Sequence, residues 1–133
     1  MGPIARPPMP VHRIRIEHQS NTVVLSAGGE LDAYTAPALE QALSDAEIGI
    51  HGRFLADLSR VTFLDSTALG LLVRTVRDVT KRGGRARVVL PQTTARRIFE
   101  ITTLDRVLPI AGSRAEALKE LVAIEDAPEA ESV

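Results

Sequence analysis

The sequence predicts an α/β domain, a mixed but mostly parallel sheet of about four to five strands with about four helices. Three observations predict it. Short apolar runs bounded by Gly, Ser or Pro alternate along the chain with segments of helical periodicity. The connections between most of these runs are long enough for crossover helices, which parallel pairing requires. Only the first two runs are close enough to form a hairpin, which makes the sheet mixed. No internal repeat is visible, and 133 residues are enough for one core but not two.

Each element has its own local reason. Val11 to Glu17, with alternating Ile14 and Ile16, reads as the first strand. Asn21-Thr22 turns the chain into a second strand at Val23-Val24-Leu25. Gly29 to Thr35 reads as a loop, with Thr35 as N-cap and Pro37 in the first turn of a helix that runs to about Glu47. Its inner face is Leu39, Ala42, Leu43 and Ala46. Phe54 to Leu58 is a buried strand. The strongest helical pattern begins near Ser66, with Leu69, Leu72, Val73, Val76 and Val79 on the core face and Gly83-Gly84 at the end. Ala86 to Leu90 is the next strand, stopped by Pro91. A short helix over Thr94 to Ile101, a brief strand over Val107 to Ile110 and a last helix complete the order. That last helix opens with a capping box of Ser113 and Glu116 and buries Leu118, Leu121 and Val122.

The domain is therefore expected over residues 11–124. Residues 1–10 contain four prolines, and residues 125–133 contain four acids without apolar periodicity. Both read as solvated tails. No charged-then-apolar leader opens the chain, and Gly2 does not begin a myristoylation signal because position 6 is Arg.

Composition excludes several function classes. A formal net charge of -1 disfavours a general nucleic-acid or acidic-lipid binder. The aromatics are Tyr34, Phe54, Phe63 and Phe99, too few for a base-stacking platform. With no cysteine there is no disulfide or thiolate chemistry, which fits a cytoplasmic setting. No apolar run approaches the ~18–20 residues that span a bilayer, so no membrane insertion is expected. His12, His18 and His51 lack ligand spacing, so no metal is expected. No Gly-x-x-x-x-Gly-Lys-Ser/Thr loop occurs to cradle a nucleotide, and no cofactor is expected.

The chemistry is concentrated in the stretch LSRVTFLDSTALG, Leu58 to Gly70. Asp65-Ser66 stands where the chain enters its best helix. Unpaired backbone N–H groups favour negative charge there, so the fold should tolerate a phosphate esterified to Ser66. The plainer reading of Asp65 or Ser66 is an N-cap. Asp32 and Asp65 could be read as paired catalytic carboxylates, but capping of loop and helix suits both better. Ser66 lacks the Gly-x-Ser-x-Gly elbow of a hydrolase, and the acidic pair and lysine of a phosphoacceptor-aspartate receiver are missing. From Arg74 to Arg97 the chain carries eight of its sixteen basic residues against the single acid Asp78, read as a solvated helix face plus a strand end in preference to a surface for an acidic partner or an edge used in assembly.

The run Asp65-Ser66-Thr67-Ala68-Leu69-Gly70 resembles the signature of the STAS domain family, the sulphate transporter and anti-sigma factor antagonist domains. Gly29-Glu30-Leu31-Asp32 with Thr35-Ala36, Gly83-Gly84 before a Val-rich strand, Arg97-Ile98-Phe99, and Thr103-Leu104 before Val107-Leu108 follow the family's order. The resemblance covers about Val11 to Ile124. Ala68 departs from it, since many members carry glycine there; alanine should preserve the helix start.

The resemblance implies a bacterial anti-sigma factor antagonist with no catalysis of its own. It implies Ser66 as phosphoacceptor, Thr67 as a weaker second acceptor less apt to face outward, and Asp32, Thr35, Asp65 and Thr67 as partner contacts. The implied partners are an anti-sigma factor serine kinase, bound when Ser66 is unphosphorylated, and a serine phosphatase that resets the modified form. A second implication is an unphosphorylated scaffold, such as the cytoplasmic subunit of a lipid-transport ATPase; the neighbouring gene, small kinase or transporter, separates the two. An enzyme ranks third and needs a pocket with convergent polar groups away from Ser66.

Overall fold

The computed structural model of the chain describes residues 14–19, 21–90 and 108–125. The tails, the strand start at Val11 and the helix expected over Thr94 to Ile101 lie outside these residues. In chain order the elements are β1 (Ile14–Gln19), β2 (Thr22–Leu31), α1 (Ala36–Ala46), β3 (Arg53–Leu64), α2 (Ser66–Lys81), β4 (Arg85–Val89), β5 (Ile110–Ala111) and α3 (Arg114–Glu125). The sheet has five strands in the order β1-β2-β3-β4-β5. β1 pairs antiparallel with β2, and the other neighbours pair in parallel. The mixed, mostly parallel α/β architecture is as the sequence predicts, with three helices among the described residues.

Side-chain alternation assigns the two faces of the sheet. Val23, Leu25 and Ala27 of β2, Phe54, Ala56 and Leu58 of β3, and Ala86 and Val88 of β4 share one core with α1 and α2. Val24, Leu55, Val89 and Ala111 point the other way and pack on Ala117 and Leu121 of α3. Central strands covered on both faces explain the unbroken apolar run at Phe54-Leu55-Ala56, all fully buried.

Several details differ from the sequence expectation. β2 runs on to Leu31 and β3 to Leu64, far past Leu25 and Leu58. Parallel pairing of Glu30 with Phe63 and Leu31 with Leu64 carries both strands onward despite the weak strand formers Ser26, Gly28, Gly29, Ser59 and Arg60. The register shifts between Ser26 and Gly28 and again between Gly29 and Glu30. Gly29 supplies the positive φ of 73° that such irregularities favour.

The last strand is Ile110–Ala111, later than expected. On α2 the buried positions are Ala68, Leu71, Leu72, Val76 and Val79, with Leu69 and Val73 only partly buried at the edge. On α3 the small Ala117 takes the inner position and Val122 is exposed, contrary to expectation.

The helix ends are built as the sequence suggests. Gly83 N–H donates to the Thr80 carbonyl (3.0 Å) and Gly84 N–H to the Val79 carbonyl (2.8 Å), the paired bonds of a Schellman motif, with Gly83 at φ 81°. At α3, Glu116 N–H donates to Ser113 Oγ at 3.1 Å, one half of the expected capping box.

The described part of the basic stretch, Arg74 to Arg87, is largely solvated. Arg74, Arg77, Lys81, Arg82 and Arg85 are exposed, and Arg87 pairs with Glu120 of α3 at 2.8 Å.

Candidate functional site

Extension of β2 and β3 brings their C-terminal ends together with the N-terminus of α2, the end of a parallel sheet where α/β proteins place their sites. Asp65 organises this corner. Its backbone is extended (φ -99°, ψ 179°), its N–H donates to the Leu31 carbonyl at 3.0 Å, and its carbonyl accepts from Leu69 N–H at 3.0 Å. Its Oδ1 accepts from the N–H groups of Thr67 and Ala68, both at 3.0 Å, which is the N-cap the sequence suggested. Its Oδ2 accepts from the Ala33 N–H at 2.9 Å, which the sequence did not reveal. One carboxylate therefore ties the start of α2 to the loop after β2.

That loop has its own lock. Asp32 Oδ1 accepts from the N–H groups of Tyr34 and Thr35 at 3.0 Å each, and Thr35 Oγ1 accepts from Asp32 N–H at 2.9 Å. Thr35 occupies the N-cap position of α1, but it has αR geometry and no side-chain cap bond. Its hydroxyl turns back to the loop instead, and the residue is only 4% exposed. Asp32 and Asp65 are spent as acceptors of backbone N–H groups, the capping role expected in preference to paired catalysis.

Ser66 is the first residue of α2 and is exposed; Thr67, expected to be the less apt of the two to face outward, is exposed as well. Asp32 and Asp65 are half-buried beside them. Two of the first-turn N–H groups that the sequence reading reserved for a phosphate on Ser66 are already held by the Asp65 carboxylate. The helix dipole remains there, but a second negative group would have to share it.

Two flanking aromatics, named above only as too few for base stacking, stand beside this corner. Tyr34 lies one residue beyond Ala33 and is 57% exposed; Phe63 lies at the end of β3 and is 52% exposed. Their signal was available, since two of the four aromatics fall in segments otherwise read as loop.

A second polar cluster also went unread. On the sheet face of α3, Arg114 Nε donates to Asp57 Oδ2 at 2.8 Å, a further guanidinium nitrogen donates to Ser26 Oγ, and Glu17 lies 3.8 Å away. Ser59 donates to Asp57 Oδ1 through its hydroxyl at 2.7 Å and its N–H at 3.0 Å. Burial acts to raise the Asp57 pKa, but the bonds from Ser59 and Arg114 and the Arg114 charge outweigh it and hold the carboxyl below the ordinary aspartate value. This cluster borders a concavity of about 840 Å3, with Arg15 and Arg60 on its other sides. Among the described residues no group of three His, Cys, Asp or Glu is placed to hold a metal ion, and no helix is long and apolar enough to cross a membrane.

The comparisons with known proteins agree with this architecture. The model of the STAS domain family matches residues 13–117. The chain belongs to the STAS domain family. It is 32% identical over 99 residues to the anti-sigma-B factor antagonist of Bacillus subtilis, covering 74% of this chain and 89% of that one. Among solved structures it is similar to an anti-sigma factor antagonist from Mycobacterium paratuberculosis, with 33% identity, a TM-score of 0.73, and coverage of 82% of this chain and 92% of that one. The unphosphorylated form of the anti-sigma factor antagonist SpoIIAA, at 24% identity and a TM-score of 0.67, shares the fold over 83% of this chain and 96% of that one. As a STAS domain, this chain places its signature run, Asp65 to Gly70, at the corner just described.

Proposed function

We propose that this STAS domain is an anti-sigma factor antagonist. Unphosphorylated, it binds an anti-sigma factor of the serine-kinase type and frees the sigma factor; phosphorylation of Ser66 ends that binding, and a serine phosphatase restores it. The observation that carries this reading is the presentation of Ser66: exposed, first in α2, and fixed by the Asp65 cap that also holds the loop at Ala33. The names of its relatives support the regulatory role.

In this reading the chain is a substrate and a ligand, not an enzyme, and it works in the cytoplasm with the transcription machinery. Ser66 Oγ attacks the γ-phosphorus of the kinase's ATP, the bond to the β,γ-bridging oxygen breaks, ADP leaves, and the hydroxyl proton passes to a base of the kinase. Thr67, Asp65 and Asp32 border the transfer site as partner contacts. Thr35, being buried, acts by holding the loop. The added charge, roughly -1.5 to -2 at pH 7, would have to be buried unpaired against the partner, and losing ~3–4 kcal/mol weakens binding by two to three decades.

The test is incubation of the purified chain with ATP and each serine kinase of this type from the same bacterium, read by mass spectrometry and binding calorimetry. Phosphate on Ser66 and its loss in Ser66→Ala are expected, with Ser66→Ala bound as tightly as the unmodified protein. Equal kinase affinity of Ser66→Ala and the phosphorylated form would sink the reading; Ser66 unmodified in cells would favour the scaffold role.

A further inference from the structure

We propose that Tyr34 and Phe63 form the apolar anchor through which this chain holds its kinase, so that Ser66 sets the switch while the two aromatics set affinity and partner choice. The inference rests on the reading of Ser66 as phosphoacceptor and deepens it. A single exposed apolar side chain needs no explanation. Here two of the chain's four aromatics, each more than half exposed, lie within two residues of the two ends of the Ala33–Asp65 hydrogen bond.

The geometry of phosphoryl transfer identifies what covers them. A kinase must bring Ser66 Oγ onto the γ-phosphate of its ATP, so Ser66 lies inside the kinase footprint. A standard interface takes about 800 Å2 from each partner, a disc of roughly 16 Å radius. Phe63 is three residues from Ser66, within about 11 Å by chain length alone. The Ala33 N–H sits 2.9 Å from the Asp65 carboxylate, which keeps the Tyr34 Cα within about 15 Å of the Ser66 Cα. Both aromatics therefore lie within the radius of a footprint centred on Ser66.

Large, stiff side chains in that position supply contact area at little entropic cost and are over-represented among residues that dominate binding. The matching partner surface is an apolar pocket at the rim of the ATP site. Ile50 provides an internal control. It is 71% exposed, more than either aromatic, but it precedes Arg53 at the far end of the twelve-residue β3. A strand of that length spans about 36 Å, which puts Ile50 outside the footprint.

The experiment uses the full chain with ATPase-type serine kinases purified from the same bacterium. Kd is read by calorimetry with ADP present, and KM and kcat are read from phosphorylation of Ser66. Tyr34→Ala and Phe63→Ala are each expected to weaken binding at least ~10-fold and to raise KM similarly, with kcat moving far less. Tyr34→Phe and Phe63→Leu, which keep most of the apolar surface, are expected to recover most of the affinity, and Ile50→Ala to bind as wild type. A Tyr34→Ala/Phe63→Ala double variant that melts normally and binds within twofold of wild type overturns this inference and leaves the Ser66 reading standing. Wild-type protein that none of these kinases binds or phosphorylates on Ser66 overturns both.

Discussion

The Asp65 carboxylate reaches across the β2–β3 corner to the Ala33 N–H at 2.9 Å while its other oxygen caps α2. Removing it should release the loop and the helix start together. Asp65→Ala is expected to lower stability by about 1–2 kcal/mol, and Asp65→Asn by less, since an amide oxygen still caps. Denaturant unfolding gives the size. Amide hydrogen exchange gives the place: faster exchange at Thr67 and Ala68 together with Ala33 marks a shared fastening, whereas an unchanged Ala33 would show that the loop holds itself.

The Asp57 carboxyl makes stability depend on acid. Its pKa is lowered in the folded state, so its contribution is complete above the unfolded value of about 3.9 and is lost as pH falls through the lower folded value. Melting curves from pH 7 to pH 2 should therefore fall less steeply at the acid end in Asp57→Asn than in wild type. In Arg114→Ala the burial that already pulls this pKa upward loses its charged opponent, and the acid transition should move to higher pH. Superimposable profiles for wild type and Asp57→Asn would assign the acid limb to other carboxylates.

Two glycines should respond to alanine in opposite directions. At Gly70, inside α2, an added Cβ meets nothing within 4 Å, so Gly70→Ala should stabilise by roughly 0.5–1 kcal/mol through helix propensity. At Gly84 the same Cβ would collide with the Gly52 carbonyl oxygen and lie 2.9 Å from the Val79 side chain. Gly84→Ala should destabilise by about 1–3 kcal/mol as the α2–β4 turn is forced away from β3. Two melting temperatures decide it, and a Gly84→Ala protein as stable as wild type would mean that this close approach gives way easily.

The α/β class, the helix starts and stops around α2 and the position of Ser66 were legible because local chemistry sets them: Asp65 as a cap, Gly83-Gly84 as a Schellman end, apolar residues at helical spacing. What stayed hidden depends on pairing between distant segments. Nothing in Gly28-Gly29 or Ser59-Arg60 announces a strand; they are strand because β2 and β3 hold each other in register. Asp57 and Arg114 lie 57 residues apart, and the one hint was an acid inside an apolar run. The same limit applies at the site. Asp32 and Thr35 could be named from family order and their mutual bonds are local, but the bond from the Ala33 N–H to the Asp65 carboxylate, which joins the loop to the start of α2, spans 32 residues.

Phosphorylation of Ser66 should leave the fold nearly intact, for a reason the Asp65 cap makes more delicate. The added ~1.5–2 negative charges face two opposing effects. The α2 dipole favours them by about 0.3–1 kcal/mol. The Asp65 carboxylate on the neighbouring residue opposes them: at roughly 6 Å in water-like surroundings each charge pair repels by ~0.7 kcal/mol, about 1–1.4 kcal/mol in all before salt screening. The difference is under about 1 kcal/mol, a shift of only a few degrees in melting temperature for a domain of this size. The phosphorylated protein should therefore melt slightly below wild type, with the gap closing as salt is raised and shrinking in Asp65→Asn, where the repelling charge is gone. Ser66→Asp and Ser66→Glu carry less charge and should melt closer still to wild type. Calorimetric melts at low and high salt, with backbone NMR of both forms, check this. A loss of more than ~3 kcal/mol, or rearranged backbone beyond the 32–35 loop and the first turn of α2, would mean that the switch works by refolding. Near-identical melts with binding lost would place it at the surface around Ser66, where charge and bulk alone turn the partner away.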